Sequence, residues 1–166
     1  GDWVNNEWFW REPQGSSLDY SGFDFAIIHL GINDIGSMEE GASITDVISA
    51  FETNINNIVT KLRDNNNRIK IFIATIIPSY ASNYNANYKA LNEKIIEIAN
   101  ASSDIYLLDL NALSNLTIHQ AYNVWHPTAL GYVKLAEEIK ALISYTISQN
   151  LDDFKDIHLI GTDYTL

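Results

Sequence analysis

FDFAIIHLG occupies residues 23–31, and the reading of this stretch decides the fold. It is short, nearly continuous in apolar residues and closed by a glycine, so it reads as a buried strand. Residues 41–64 follow, with Ile44, Ile48, Phe51, Ile55, Ile58 and Leu62 spaced in alternating fours and threes. That spacing draws one apolar stripe on a helix. Ser43 with Asp46 three positions on resembles a capping box, and the asparagine run Asn65, Asn66, Asn67 ends the helix.

The same alternation continues to the end of the chain. RIKIFIATIIP (68–78) is a second buried strand, rich in β-branched residues and stopped by Pro78. Tyr88, Leu91, Ile95 and Ile98 mark a second amphipathic helix. DIYLLDL (104–110) is a third strand. A last helix begins after Pro127 with Thr128 as N-cap, and Tyr132, Leu135, Ile139 and Leu142 form its stripe. Strand and helix in alternation predict right-handed βαβ crossovers and a parallel sheet covered on both faces. One domain is expected over 1–150, with 151–166 as a tail or an added strand.

Composition narrows the function classes. The 166 residues are 46% hydrophobic and 19% charged, which is globular. A net charge of −11 argues against nucleic acid and anionic membranes as partners. The chain has no cysteine, which removes disulfides and thiolate metal sites. No apolar stretch approaches the roughly 20 residues of a membrane helix. The opening GDWVNNEWFW has no basic segment of a signal peptide and no initiator Met, so the chain is expected to be processed, tagged or cut from something longer.

In a parallel α/β sheet the reactive site lies beyond the carboxyl ends of the strands. The first strand delivers Gly31, Ile32, Asn33 and Asp34 there, and the second delivers Pro78, Ser79 and Tyr80. The third leads through a loop to Asn123 and His126. Pro127 holds His126 just outside the last helix. A helix N-terminus disfavours an imidazolium, so the ring is available as a neutral base; the competing reading is a solvated loop histidine. Asn33 can donate to a developing oxyanion or simply make a turn. His29 reads as a hydrogen-bonded histidine within a buried strand. Trp3, Trp8, Phe9 and Trp10 read as core packing or a sugar platform. His119 and His126 have no third ligand at a sensible spacing, so no metal site is expected, and no loop has the pattern that cradles phosphate.

Two blocks in order, HLGIND (29–34) and NVWHPTALGY (123–132), resemble the third and fifth sequence blocks of the SGNH (GDSL-type) hydrolases. The first gives the G-x-N-D pattern as Gly31, Ile32, Asn33, Asp34. The second gives D-x-x-H-P with Asn123 in the aspartate position, then Val124, Trp125, His126 and Pro127, followed by Gly131 and Tyr132. The resemblance covers about residues 1 to 148. It implies a flavodoxin-like, three-layer αβα fold and ester hydrolysis, of an acyl or acetyl group on a sugar or lipid, with no cofactor and with a small-molecule or glycan ester as partner. Carried over, His126 is the general base, Asn33 an oxyanion donor, and Asn123 the residue orienting His126.

The sequence departs from the family twice. Asn123 can orient the ring through its carbonyl but adds no charge; in chymotrypsin-type proteases the change from aspartate to asparagine costs roughly 10⁴ in turnover. The second departure is the nucleophile. The family's serine block ends the first strand, and here only thirty residues precede Gly31. The first strand is therefore expected to be missing or replaced, with the serine outside this chain, on a longer parent that can carry further domains. Ser16 and Ser17 read as loop residues. KDIHLIGTDYTL (155–166) is strand-like, ends in Gly161 and has Asp163 where a serine would stand. It is an added edge strand, the start of a further module, or a permuted first strand. The alternative function is a non-catalytic carbohydrate-binding or structural module on the same scaffold; a third is an unrelated flavodoxin-like protein that meets both blocks by chance. The compartment is not fixed by the sequence, and an extracellular or surface setting fits a glycan ester.

Overall fold

The computed structural model describes residues 19–36, 38, 41–77, 85–113, 127–155 and 157. Three parallel strands form its sheet: β1 (Phe25–Ile28), β2 (Lys70–Ala74) and β3 (Ile105–Leu108), in the order β1-β2-β3. The register runs Phe25↔Lys70 to Ile28↔Ile73, and Ile71↔Ile105 to Ala74↔Leu108. Each strand is shorter than its apolar run, because pairing stops where the chain turns off toward the next helix. The helices are α1 (Ile32–Gly36), α2 (Ile44–Asn65), α3 (Asn85–Asn100), α4 (Leu110–Leu113), α5 (Ala129–Gln149) and α6 (Leu151–Phe154). None of these helices is long and apolar enough to cross a membrane.

The pleat of β2 divides the core. Ile71 and Ile73 face one way, into a cluster with Phe51, Ile55, Leu91 and Ile95 of α2 and α3. Phe72 and Ala74 face the other way, toward Leu135, Ile139 and Leu142 of α5 and Phe154 of α6. Apolar burial on both faces of a central parallel strand produces the expected three layers. On the second face the rings of Phe25, Phe72, Tyr106 and Phe154 stack in tilted contacts, the tightest being Tyr106 to Phe154 at 4.9 Å. Tyr106 Oη donates to Asp153 Oδ2 at 3.0 Å. Burial, then the bonded carboxylate, pushes this phenol up to about 12. Phe154, 6% exposed, thus joins the core, in a helical turn where a tail or added strand was expected to begin.

Helix ends follow the sequence except at Ser43. Thr128 caps α5, its Oγ1 accepting from Gly131 N at 3.1 Å. Ser43 caps α2 through its backbone oxygen, which accepts from Asp46 and Val47, while its side chain makes no capping bond. Asp46 stands where a capping box places Glu or Gln. The asparagine run ends α2 as expected, yet it also secures the approach to β1. Asn66 Nδ2 donates to Phe23 O at 2.8 Å, and Asn65 Oδ1 accepts from Tyr20 N. Tyr132 is 55% exposed and leaves the expected α5 stripe, which continues instead through Ile143 and Ile147.

Candidate functional site

The carboxyl ends of the strands carry the candidate site. β1 stops at Ile28, and Gly31 turns the chain into α1. Its φ of +118° is a conformation that L side chains rarely adopt. A Cβ there would also lie 2.8 Å from Leu91 Cδ2 and 3.3 Å from Phe51 Cε2. The glycine is therefore demanded by both backbone and packing. Ile35 N then donates to Gly31 O at 3.2 Å, and Ile35, fully buried, anchors the short helix. With that anchor in place, Asn33 and Asp34 are half-buried and line a groove of about 560 Å³ along β1.

His29 departs from expectation. It lies one residue past the strand, exposed on the rim, because pairing with β2 ends at Ile28↔Ile73. It lines both the groove and a second cavity of about 220 Å³. Loss of hydration among the surrounding atoms lowers its pKa, while the open side of the residue limits how far that shift runs.

Two buried polar ties hold the end of β2 toward this rim. Asn92, 5% exposed, grips the backbone of Ile76 twice: its Oδ1 accepts from Ile76 N at 2.8 Å and its Nδ2 donates to Ile76 O at 3.0 Å. Thr75 Oγ1 donates to Asp109 Oδ1 at 2.9 Å and accepts from Asn111 N at 2.9 Å. Sequence reasoning misses both ties. A signal for Asn92 does exist, since a polar residue stands beside Leu91 on the core side of α3.

Ile76 and Ile77 line the second cavity together with His29, Ile32, Pro127, Tyr132 and Leu135. Pro127 follows His126 in the chain, and Ile32 precedes Asn33. The start of α5 and the start of α1 therefore share one cavity wall. His126 and Asn123 themselves lie outside the described residues, as do Ser16, Ser17, Ser79, Tyr80, His119, Asp163 and the aromatic cluster from Trp3 to Trp10. Among the described residues no group of three His, Asp or Glu side chains could hold a metal ion.

Residues 5–134 match the GDSL-like Lipase/Acylhydrolase family. Comparison with curated proteins returns no match. Among solved structures, a carbohydrate esterase family 3 from Talaromyces cellulolyticus is similar at a TM-score of 0.61 and 18% identity, over 83% of this chain and 66% of that one. An acetyl esterase serine-to-alanine mutant with an acetate ion gives 0.55 and 19%, over 83% and 66%. A GDSL-like lipase from Bacteroides thetaiotaomicron gives 0.54 and 16%, over 85% and 67%. At these identities the likeness is one of fold. The chain spans about two thirds of the length of these structures.

Proposed function

The chain belongs to the GDSL-like lipase/acylhydrolase family, and from that premise we propose that it supplies the base and an oxyanion donor for hydrolysis of an acyl or acetyl ester, on a carbohydrate or a lipid. The nucleophilic serine comes from a segment outside residues 1–166. One observation carries the reading: Pro127 and Ile32, the chain neighbours of His126 and Asn33, line a single cavity. Two groups that serve one reacting carbon must converge on it.

The chemistry follows from those roles. The serine Oγ attacks the ester carbonyl while His126 takes its proton. The carbonyl oxygen becomes an oxyanion and accepts a hydrogen bond from Asn33 Nδ2. Collapse of the adduct expels the alcohol, which His126 protonates, and water repeats the sequence on the acyl-enzyme. Asn123 accepts from the far ring nitrogen of His126 and fixes its tautomer without supplying charge, so His126 is a weaker base than it would be beside a carboxylate. The carbohydrate esterase and the acetyl esterase among the similar folds favour a small acyl group on a sugar as substrate.

The test is turnover of p-nitrophenyl acetate by the full-length parent. His126→Ala is expected to reduce kcat by about 10³-fold or more, and Asn33→Ala by roughly 10²-fold. Asn123→Asp is expected to raise it. Activity indifferent to His126→Ala would sink the hydrolase reading. The amide at Asn123 also favours a second reading, a carbohydrate-binding module without turnover. Glycan binding by an intact parent that resists fluorophosphonate labelling would select it.

A further inference from the structure

The second cavity is a hydrocarbon-lined hollow beside the proposed reaction centre. It holds about 220 Å³, between the residues just past the carboxyl end of β2 and the first turns of α5. Its described lining is Ile32, Ile76, Ile77, Pro127 and Leu135, with Tyr132 and His29. Ile76, Ile77, Pro127 and Leu135 are buried, so they make the floor. Asn92 holds that floor in place through its two bonds to the backbone of Ile76. Tyr132 and His29 are exposed, which puts both polar side chains at the mouth. A floor of packed apolar side chains offers no hydrogen-bond partner to a hydroxyl placed against it. A hydrocarbon chain needs none.

We propose that this cavity takes the acyl chain of the ester, and that the preferred acyl group is straight, saturated and about four to six carbons long. The inference rests on the proposed hydrolysis and deepens it. It lengthens the small acyl group suggested by the similar folds from acetyl to butanoyl or hexanoyl.

The argument from position comes first. An ester carbonyl carbon carries two arms, the acyl chain and the alcohol. His126 and Asn33 serve that carbon on the proposed reading, and their chain neighbours Pro127 and Ile32 both line this cavity. The cavity therefore opens beside the carbonyl, and one arm lies against it. A sugar arm would bury hydroxyls against isoleucine, leucine and proline, where each unpaired hydroxyl weakens binding. The acyl arm buries only methylene and methyl groups. The larger groove is a poorer host for that arm. It runs along the outer edge of β1, and hydrocarbon would leave the N–H and C=O groups of that edge unpaired.

Size then sets the length. The 220 Å³ of the cavity is the liquid volume of roughly seven waters. An acetyl methyl group leaves most of that space empty, and an unfilled apolar hollow forfeits its contacts. A longer chain fills it until the floor of Ile77 and Leu135 stops further extension. Each methylene buried should raise kcat/KM by a factor of roughly four.

The test is hydrolysis of p-nitrophenyl acetate, butanoate, hexanoate and decanoate by the full-length parent. We expect kcat/KM to rise about tenfold or more from acetate to butanoate or hexanoate, and to fall again at decanoate. His126→Ala should suppress hydrolysis across the series, which ties the profile to this site. Ile77→Phe narrows the cavity and should lower the hexanoate-to-acetate ratio of kcat/KM about tenfold or more. Ile77→Ala deepens it and should move the optimum to a longer chain. If Ile77→Phe does not fold, Ile77→Ala and the unaltered series decide. A profile that is flat, or highest for acetate, would overturn the inference and leave the hydrolase reading standing. So would a hexanoate-to-acetate ratio that neither variant moves. No turnover of any ester in the series would bring down the hydrolase reading and this inference with it.

Discussion

Gly31 concentrates the constraints of the rim in one residue. Its Cβ position meets Leu91, itself fully buried, and its φ is positive. Gly41 also has a positive φ, +85°, but nothing lies within 4 Å of its Cβ position. The two glycines therefore separate strain from collision. Gly41→Ala should cost about 1 kcal/mol, whereas Gly31→Ala should cost about 2–4 kcal/mol because a packed core must also shift. Urea midpoints of the two variants check the difference, and equal losses would refute the steric part. His29 offers a pH handle at the same scale. Its folded-state pKa is lowered, so the unfolded chain binds a proton at higher pH than the folded one. The associated stability is present above the ordinary imidazole value of about 6.5 and is lost as pH falls through the folded value. His29→Gln should flatten the slope of urea midpoint against pH below about 6.5; an unchanged slope would exclude this histidine as its source.

At the scale of elements, most of the fold is legible because each helix and strand carries its own period. Phe51, Ile55 and Leu62 are buried where the stripe of α2 puts them, and Thr128 caps α5 through its side chain. Other features are not legible, for physical reasons. Strand ends depend on where a partner stops pairing, which is why His29 falls outside β1. Tyr132 obeys the helical period, yet it lines the second cavity and stands 55% exposed. The tie from Thr75 to Asp109 and Asn111 joins residues distant in sequence, and no local pattern encodes it; for Asn92 the only local sign is a polar residue on the core side of α3. Of the candidate site, the sequence indicates Asn33 at the rim but not the cavity that joins Ile32 to Pro127. On the proposed reading, the start of α5 would position His126, the residue before Pro127. Thr128→Ala removes the bond to Gly131 N and should cost about 1 kcal/mol of stability. The freed first turn should also lower kcat on p-nitrophenyl acetate in the full-length parent while leaving KM little changed. Thr128→Ser, which keeps the hydroxyl, should restore both; a loss that serine fails to rescue would rule out the cap as the cause.

For the molecule as a whole, two opposing features meet at the outer edge of β1. The edge is apolar, with Ile27 and Phe23 exposed, which favours pairing with a second copy. The chain carries a net charge of −11, which keeps copies apart. The balance depends on salt, because like-charge repulsion reaches about 10 Å at 0.1 M ionic strength but only about 3 Å at 1 M. Hydrophobic burial is not screened in this way. The chain should therefore be monomeric at low salt and associate as salt is raised, by sedimentation velocity. Placing a cation on the edge, as in Ile27→Lys, should suppress that association, since burying an unpaired ammonium between two strands costs far more than the contact returns. A chain that remains monomeric at about 1 M salt, where the repulsion is screened, would show that β1 is not the adhesive surface its exposed side chains imply.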